Sequence, residues 1–277
     1  MRPASLLDDL NLLQVRVVQA LRQAPGAAEL YLFGSRLLSP GDPYADLDFE
    51  LVSADMEATL AAWPDVLGLV AALELAWPIE PGAHAVAVLL AGTSPYHKLD
   101  IGVRPLGTAA RLAGPLQLVW RQQPPAAPFV LPLRSGYRPE FGSIGHTLFD
   151  DLLGAIRYVK ARRRNQPLTC LRFMRSKPER LLQLWAERDA GWSAEPHPLT
   201  TWDYKALDAA LPTAARDVVL AHLDWSAPAT MDRALIWFTQ QIASVLAARA
   251  AARGETLPHG LIERQLAFVR RELEILE

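Results

Sequence analysis

Three aspartates and a Gly-Ser turn are the residues of this chain whose types and spacing suit metal-assisted phosphoryl chemistry. An apolar stretch ending at Phe33 runs into Gly34 and Ser35, and ten residues later a second stretch opens as Asp46, Leu47, Asp48, Phe49. Gly34 lets the backbone turn closely around a phosphate, and Ser35 adds a hydroxyl beside amide donors that can form an anion-binding nest. On an extended strand, Asp46 and Asp48 point their carboxylates to one face. Two hard oxygen ligands held together suit Mg²⁺ carrying a nucleoside triphosphate. A third carboxylate, Asp100, lies in the strand-like run Lys98 to Val103. Asp100 completes the metal site or accepts a proton from an attacking hydroxyl. The bland alternative is an ordinary turn with aspartates on the solvent face of an amphipathic strand.

The elements that position these residues form an α/β (α+β) half with a small mixed sheet. The apolar pattern predicts a helix over about residues 5–23, strands at Leu30–Phe33 and Asp46–Val52, and a helical stretch around 55–73. Two neighbouring strands follow, Ala85–Leu90 and Lys98–Val103, with a turn at Gly92 to Pro95. Prolines and glycines at 124–139 break regular structure repeatedly, so the expected organisation is a catalytic domain over 1–135 and a helical domain over 136–277. Leu148, Leu152, Ile156 and Val159 make one apolar helix face. Further helices are expected over Leu171–Arg188, with Pro178 starting or kinking it, and over Tyr204–Leu211, Ala214–Leu223, Met231–Arg253 and Leu261–Leu276.

Apolar-Gly-Ser, then Asp-apolar-Asp-apolar, then a later carboxylate on a strand resembles the signature of the polymerase-beta-like nucleotidyltransferase superfamily. The segment SPGDPYADLDF (residues 39–49) is similar to that of the lincosamide nucleotidyltransferases, and Lys98 to Val103 is similar to the third-strand motif of the streptomycin-type aminoglycoside adenylyltransferases. In the second half, Phe149 to Arg164, RSKPERLLQLW (residues 175–185) and the stretch Lys205 to Pro212 resemble those antibiotic-modifying enzymes in order and spacing. The chain departs from them in an arginine-rich run after Lys160 and in its proline-rich loops. The resemblance implies a nucleotidyltransferase domain followed by an all-α helical bundle that supplies much of the acceptor pocket. It also implies Mg²⁺ bound by Asp46, Asp48 and Asp100, and a triphosphate (ATP or GTP) held by Gly34, Ser35 and Arg36 in the cleft between the domains.

Other residues carry two readings. Arg157, Lys160, Arg162, Arg163 and Arg164 crowd a predicted helix end, where cations complement the helix dipole, or else Lys160 reaches across the interdomain cleft to the triphosphate. His97 is an acid or base, or a packing residue near a turn. Asp150 and Asp151 are an alternative base, or acids placed at the start of the first helix of the second half. Five of the eight tryptophans lie in the helical half, where packing is the default and flooring a drug or sugar pocket the alternative.

Composition narrows the function classes. The chain has 277 residues, 51% of them hydrophobic, and a formal net charge of −2, enough for one large or two ordinary cores. A single cysteine, Cys170, excludes an internal disulfide. Asp8 and Asp9 sit within the first apolar stretch, unlike a signal peptide, and no apolar run reaches the roughly 20 residues of a membrane span, so a cytoplasmic location and no membrane partner are expected. There is no long basic arm, so no nucleic-acid partner is expected. Residues 140–277 carry 18 Lys plus Arg against 17 Asp plus Glu, and residues 1–139 carry 10 against 13, formal charges of +1 and −3. A helical half without acidic bias favours a hydroxylated small molecule less cationic than an aminoglycoside. The alternatives are an antitoxin-like enzyme modifying a partner protein and an inactive nucleotide-binding protein, as a monomer or homodimer.

Overall fold

Leucines at 6, 10, 13 and 21, with Val17 among them, recur at helical spacing, and all five are buried on one side of helix α1, Pro3–Leu21. The computed structural model describes residues 3–78, 84–108, 115–122, 143–189, 191–192 and 211–274. The chain divides into two compact units, Met1–Glu140 and Phe141–Glu277, five residues past the boundary expected from the proline-rich stretch. That stretch itself, 124–139, lies outside the described residues, as do residues 204–210 of the helix expected at Tyr204–Leu211.

In the first unit, α1 is followed by β1 (Ala27–Phe33), the one-turn α2 (Gly34–Leu38), β2 (Leu47–Ser53) and α3 (Met56–Gly68). Strands β3 (Leu73–Pro78), β4 (Ala85–Leu90), β5 (Leu99–Pro105) and β6 (Gln117–Arg121) complete it. The architecture is α+β with a mixed six-stranded sheet in the order β3-β4-β5-β2-β1-β6. Strands β2 and β5 run parallel, and the other described pairs are antiparallel. Leu30, Leu32, Leu47, Phe49, Leu51, Leu99, Ile101 and Val103 alternate along the three central strands onto one face, where they join α1 and α3 in a single core. The intervening residues, Tyr31, Asp48, Glu50, Asp100 and Arg104 among them, belong to the other face.

Local chemistry sets most boundaries. Asp55 caps α3 by accepting from the Ala58 amide at 3.0 Å. The helix expected to reach residue 73 stops at Gly68, and Leu73–Pro78 is a strand instead. The run of alanine and leucine there fits either period, and pairing with β4 decides between them. Strand β6 was likewise not expected; it gains its regularity from the edge of β1.

The regular elements among the described residues of the second unit are helices: α4 (Ser143–Arg163), α5 (Pro167–Asp189), α6 (Thr213–Leu220), α7 (Pro228–Ala252) and α8 (His259–Glu274). Helix α4 packs against α5, α7 and α8, and α5 packs against α7. The face predicted at Leu148, Leu152, Ile156 and Val159 is buried, together with Leu181, Leu235, Phe238 and Ile242. Pro178 neither starts nor ends a helix, since α5 continues through it. Among the described residues, no helix is long and apolar enough to cross a membrane.

Candidate active site

The parallel register of β2 and β5 sets Asp48 directly opposite Asp100. Both residues alternate with core positions, so both belong to the face turned away from α1 and α3. Asp46 lies one residue before β2, and the two-residue period carried back along the chain assigns it to the same face. The Leu47 amide donates to the Lys98 carbonyl at 3.0 Å, tying the start of one aspartate strand to the start of the other.

The Gly-Ser turn belongs to this site. Phe33 pairs with Asp48 across β1 and β2, so the chain leaves β1 beside the Asp48 carboxylate. Gly34 has φ +71°, and a Cβ placed there would meet the Asp48 carboxylate, with Cγ only 2.8 Å away. A side chain at 34 would therefore be both strained and in collision. Ser35 follows in the first turn of α2, half-buried.

The loop that carries Asp46 is pinned from the β4–β5 turn. His97 is buried and donates through Nε2 to the Pro43 carbonyl at 3.1 Å. Tyr96, also buried, meets Tyr44 edge to face with ring centroids 5.0 Å apart. The Tyr44 amide donates to Asp42 Oδ1 at 3.0 Å. His97 and Tyr96 thus brace this loop by packing; a buried aromatic beside a turn carries no sequence signal of such a contact.

Arg36 turns its guanidinium toward α1. It donates to Gln14 Oε1 at 2.9 Å, to Asn11 Oδ1 and to the Pro40 carbonyl, and burial pushes its pKa down, partly offset by Asp42. Its donors hold α1 to the loop after α2. Lys160 lies buried in α4 of the second unit. Of its basic neighbours, Arg162 pairs with Asp232 and Arg163 with Glu272, each at 2.8 Å, so these two join helices rather than merely ending one. Asp150 and Asp151 lie two turns inside α4, not at its start. Asp151 is buried and accepts from Lys177 Nζ at 2.8 Å. Burial pulls the Lys177 pKa down while Asp151 opposes it.

Two cations share the aspartate face. Lys98, fully buried at 1% side-chain exposure, pairs through Nζ with Asp100 Oδ2. Arg104 pairs with Glu50 at 3.1 Å, and its guanidinium lies over the Tyr31 ring. Tyr31 in turn donates to Glu29 at 2.6 Å, which lowers the Glu29 pKa. Glu50, Lys98 and Arg104 were not expected at the site. The signal for them is alternation: each is two or four residues from an aspartate already chosen.

A divalent cation fits the donor set in part. Asp100 Oδ1 is buried and accepts no hydrogen bond among the described residues, an orphaned acceptor on the residue set opposite Asp48. The Gly34 turn is a cradle that a Cβ would fill. Among the described residues, however, no three Asp, Glu, His or Cys side chains already converge as metal ligands. Lys98 engages Oδ2 of Asp100, one of the three expected carboxylates. The chain matches no protein-family model, and no curated protein matches it.

Proposed function

We propose that the protein transfers a nucleoside monophosphate from a nucleoside triphosphate to a hydroxyl of a small molecule, releasing pyrophosphate. The observation that carries this reading is the in-register pair Asp48 and Asp100 beside a Gly-Ser turn that tolerates no side chain at residue 34. A nucleotidyl transfer needs alignment and charge neutralisation more than covalent help from the protein. The acceptor oxygen attacks the α-phosphorus as the bond to the bridging oxygen of pyrophosphate breaks.

Each residue then has a defined task. Asp46, Asp48 and Asp100 Oδ1 would hold Mg²⁺, which supplies charge neutralisation and in-line templating for the triphosphate when bound. Gly34 gives the phosphates close access to the backbone, and Ser35 offers a hydroxyl donor. If Asp100 Oδ1 does not complete the Mg²⁺ site, it is the carboxylate oxygen suited to accept the acceptor's proton, since it has no donor among the described residues. Arg36, His97 and Tyr96 keep the loop between α2 and β2 in place. Resemblance to the antibiotic nucleotidyltransferases, together with the formal +1 of residues 140–277, supports a hydroxylated antibiotic of modest charge, lincosamide-like before aminoglycoside, as acceptor.

The test is pyrophosphate release by the purified protein with Mg²⁺ and each of the four ribonucleoside triphosphates, over a panel of lincosamides and aminoglycosides. The expected result is release with one acceptor class that falls at least about 1000-fold in Asp48→Asn without loss of folded protein. Equal release by wild type and variant would refute the assignment.

A further inference from the structure

The Lys98–Asp100 pair has no explanation in stability alone. Taking two charges out of water is offset only when geometry is good and the remaining lone pairs are satisfied, and Asp100 Oδ1 is not. Lys98 is nearly inaccessible while the Asp100 side chain keeps 20% exposure, so the ammonium has no solvent to replace the carboxylate as its partner. Lys98 therefore supplies the counter-charge to a carboxylate whose second oxygen has no donor among the described residues. The charge of the face points the same way. The Lys98 ammonium is buried beside the strand pair that carries Asp48 and Asp100, where a bound divalent cation would be a competing positive charge.

Resting on the nucleotidyl-transfer reading, we propose that Lys98 is a positioning residue that serves as the built-in counter-ion of Asp100. It lowers the affinity of the aspartates for a free divalent cation, so that the same face also admits a polyphosphate anion. Without Lys98 the face loses a positive charge, binds a free cation more tightly and repels the triphosphate more strongly. With Lys98 the cation is held weakly until the nucleotide arrives.

The test is binding of Mn²⁺ alone to the full chain, read from the electron paramagnetic resonance of the unbound ion, with no substrate present. Lys98→Met and Lys98→Gln are expected to bind Mn²⁺ at least about tenfold more tightly than wild type. Lys98→Arg is expected to match wild type within about threefold, and Lys98→Met combined with Asp100→Asn to fall back to the same range. Structural damage weakens binding, so a gain is a signature that a merely structural lysine would not produce. The proposal is overturned if Lys98→Met and Lys98→Gln fold with Mn²⁺ affinity unchanged or reduced. It is also overturned if neither variant folds, since Lys98 would then serve stability. If Asp48→Asn removes Mn²⁺ binding from wild type while the Lys98 variants change nothing, only the role of Lys98 is lost. If neither wild type nor any variant binds Mn²⁺, the nucleotidyl-transfer reading fails and this inference fails with it.

Discussion

At Gly34 one hydrogen atom decides whether the site exists. The left-handed φ costs any other residue about 1 kcal/mol, and the Asp48 carboxylate fills the space where a Cβ would go. Gly34→Ala is therefore expected to lower unfolding free energy by about 1–3 kcal/mol in urea titrations and to cut pyrophosphate release far more than stability. Glu29 shows a different residue-scale effect. The Tyr31 hydroxyl, and after it Arg121, hold its carboxyl below the ordinary value of 4.5, with burial opposing. A depressed carboxyl contributes stability above the unfolded pKa and loses it as pH falls through the folded one. Stability measured from pH 6 downward should begin to fall below about pH 4.5, and Glu29→Gln should make that acid limb shallower. An unchanged limb would mean the hydrogen bond with Tyr31 contributes nothing in solution.

At the scale of elements, the parallel pairing of β2 and β5 does what neither strand does alone. A slip of β2 by one residue would send Asp48 into the core and Leu47 and Phe49 out of it, so burial of the apolar face enforces the register of Asp48 against Asp100. In the second unit the elements are joined by buried polar contacts. Asp232 on α7 accepts from the Tyr158 hydroxyl at 2.5 Å and from Arg162 Nη2 at 2.8 Å, both on α4. Burial first, and Asp232 second, push the Tyr158 phenol pKa upward, so it stays a donor. Removing the shared acceptor leaves a phenol and a guanidinium without it. Asp232→Ala is expected to cost about 3–5 kcal/mol in denaturant unfolding, against about 1 kcal/mol for Tyr158→Phe, which keeps the charge pair. Equal costs would show that the ion pair adds little to the phenol contact.

Across the whole molecule, each unit buries a core of its own, and Cys170 in α5 reports on the second. The thiol is buried, and burial above all raises its pKa to about 11, so little thiolate exists near neutral pH and labelling requires opening of the helices around it. Thiol labelling at pH 8 should speed up in Asp232→Ala and stay near the wild-type rate in Phe49→Ala, whose cavity lies in the core of the first unit. Comparable acceleration by both would mean the two cores open together.

Much of the candidate site was legible in the sequence because its signals are local. A glycine before a serine and two aspartates with period two need only a few neighbours to be read, and so does the helical face from Leu148 to Val159. The strand carrying Asp100 and its partner β4 were found for the same reason. What the sequence could not determine is which charges meet. Arg36 turned to α1 instead of the site, Asp151 to Lys177, and Arg162 to Asp232 across 70 residues of chain. Lys98 and Asp100 are two residues apart, yet their pairing depends on what walls the site and shuts water away from the ammonium. Alternation and turn chemistry are properties of a segment. The partner of a charge is chosen by packing, because only tertiary structure sets which groups lose water together.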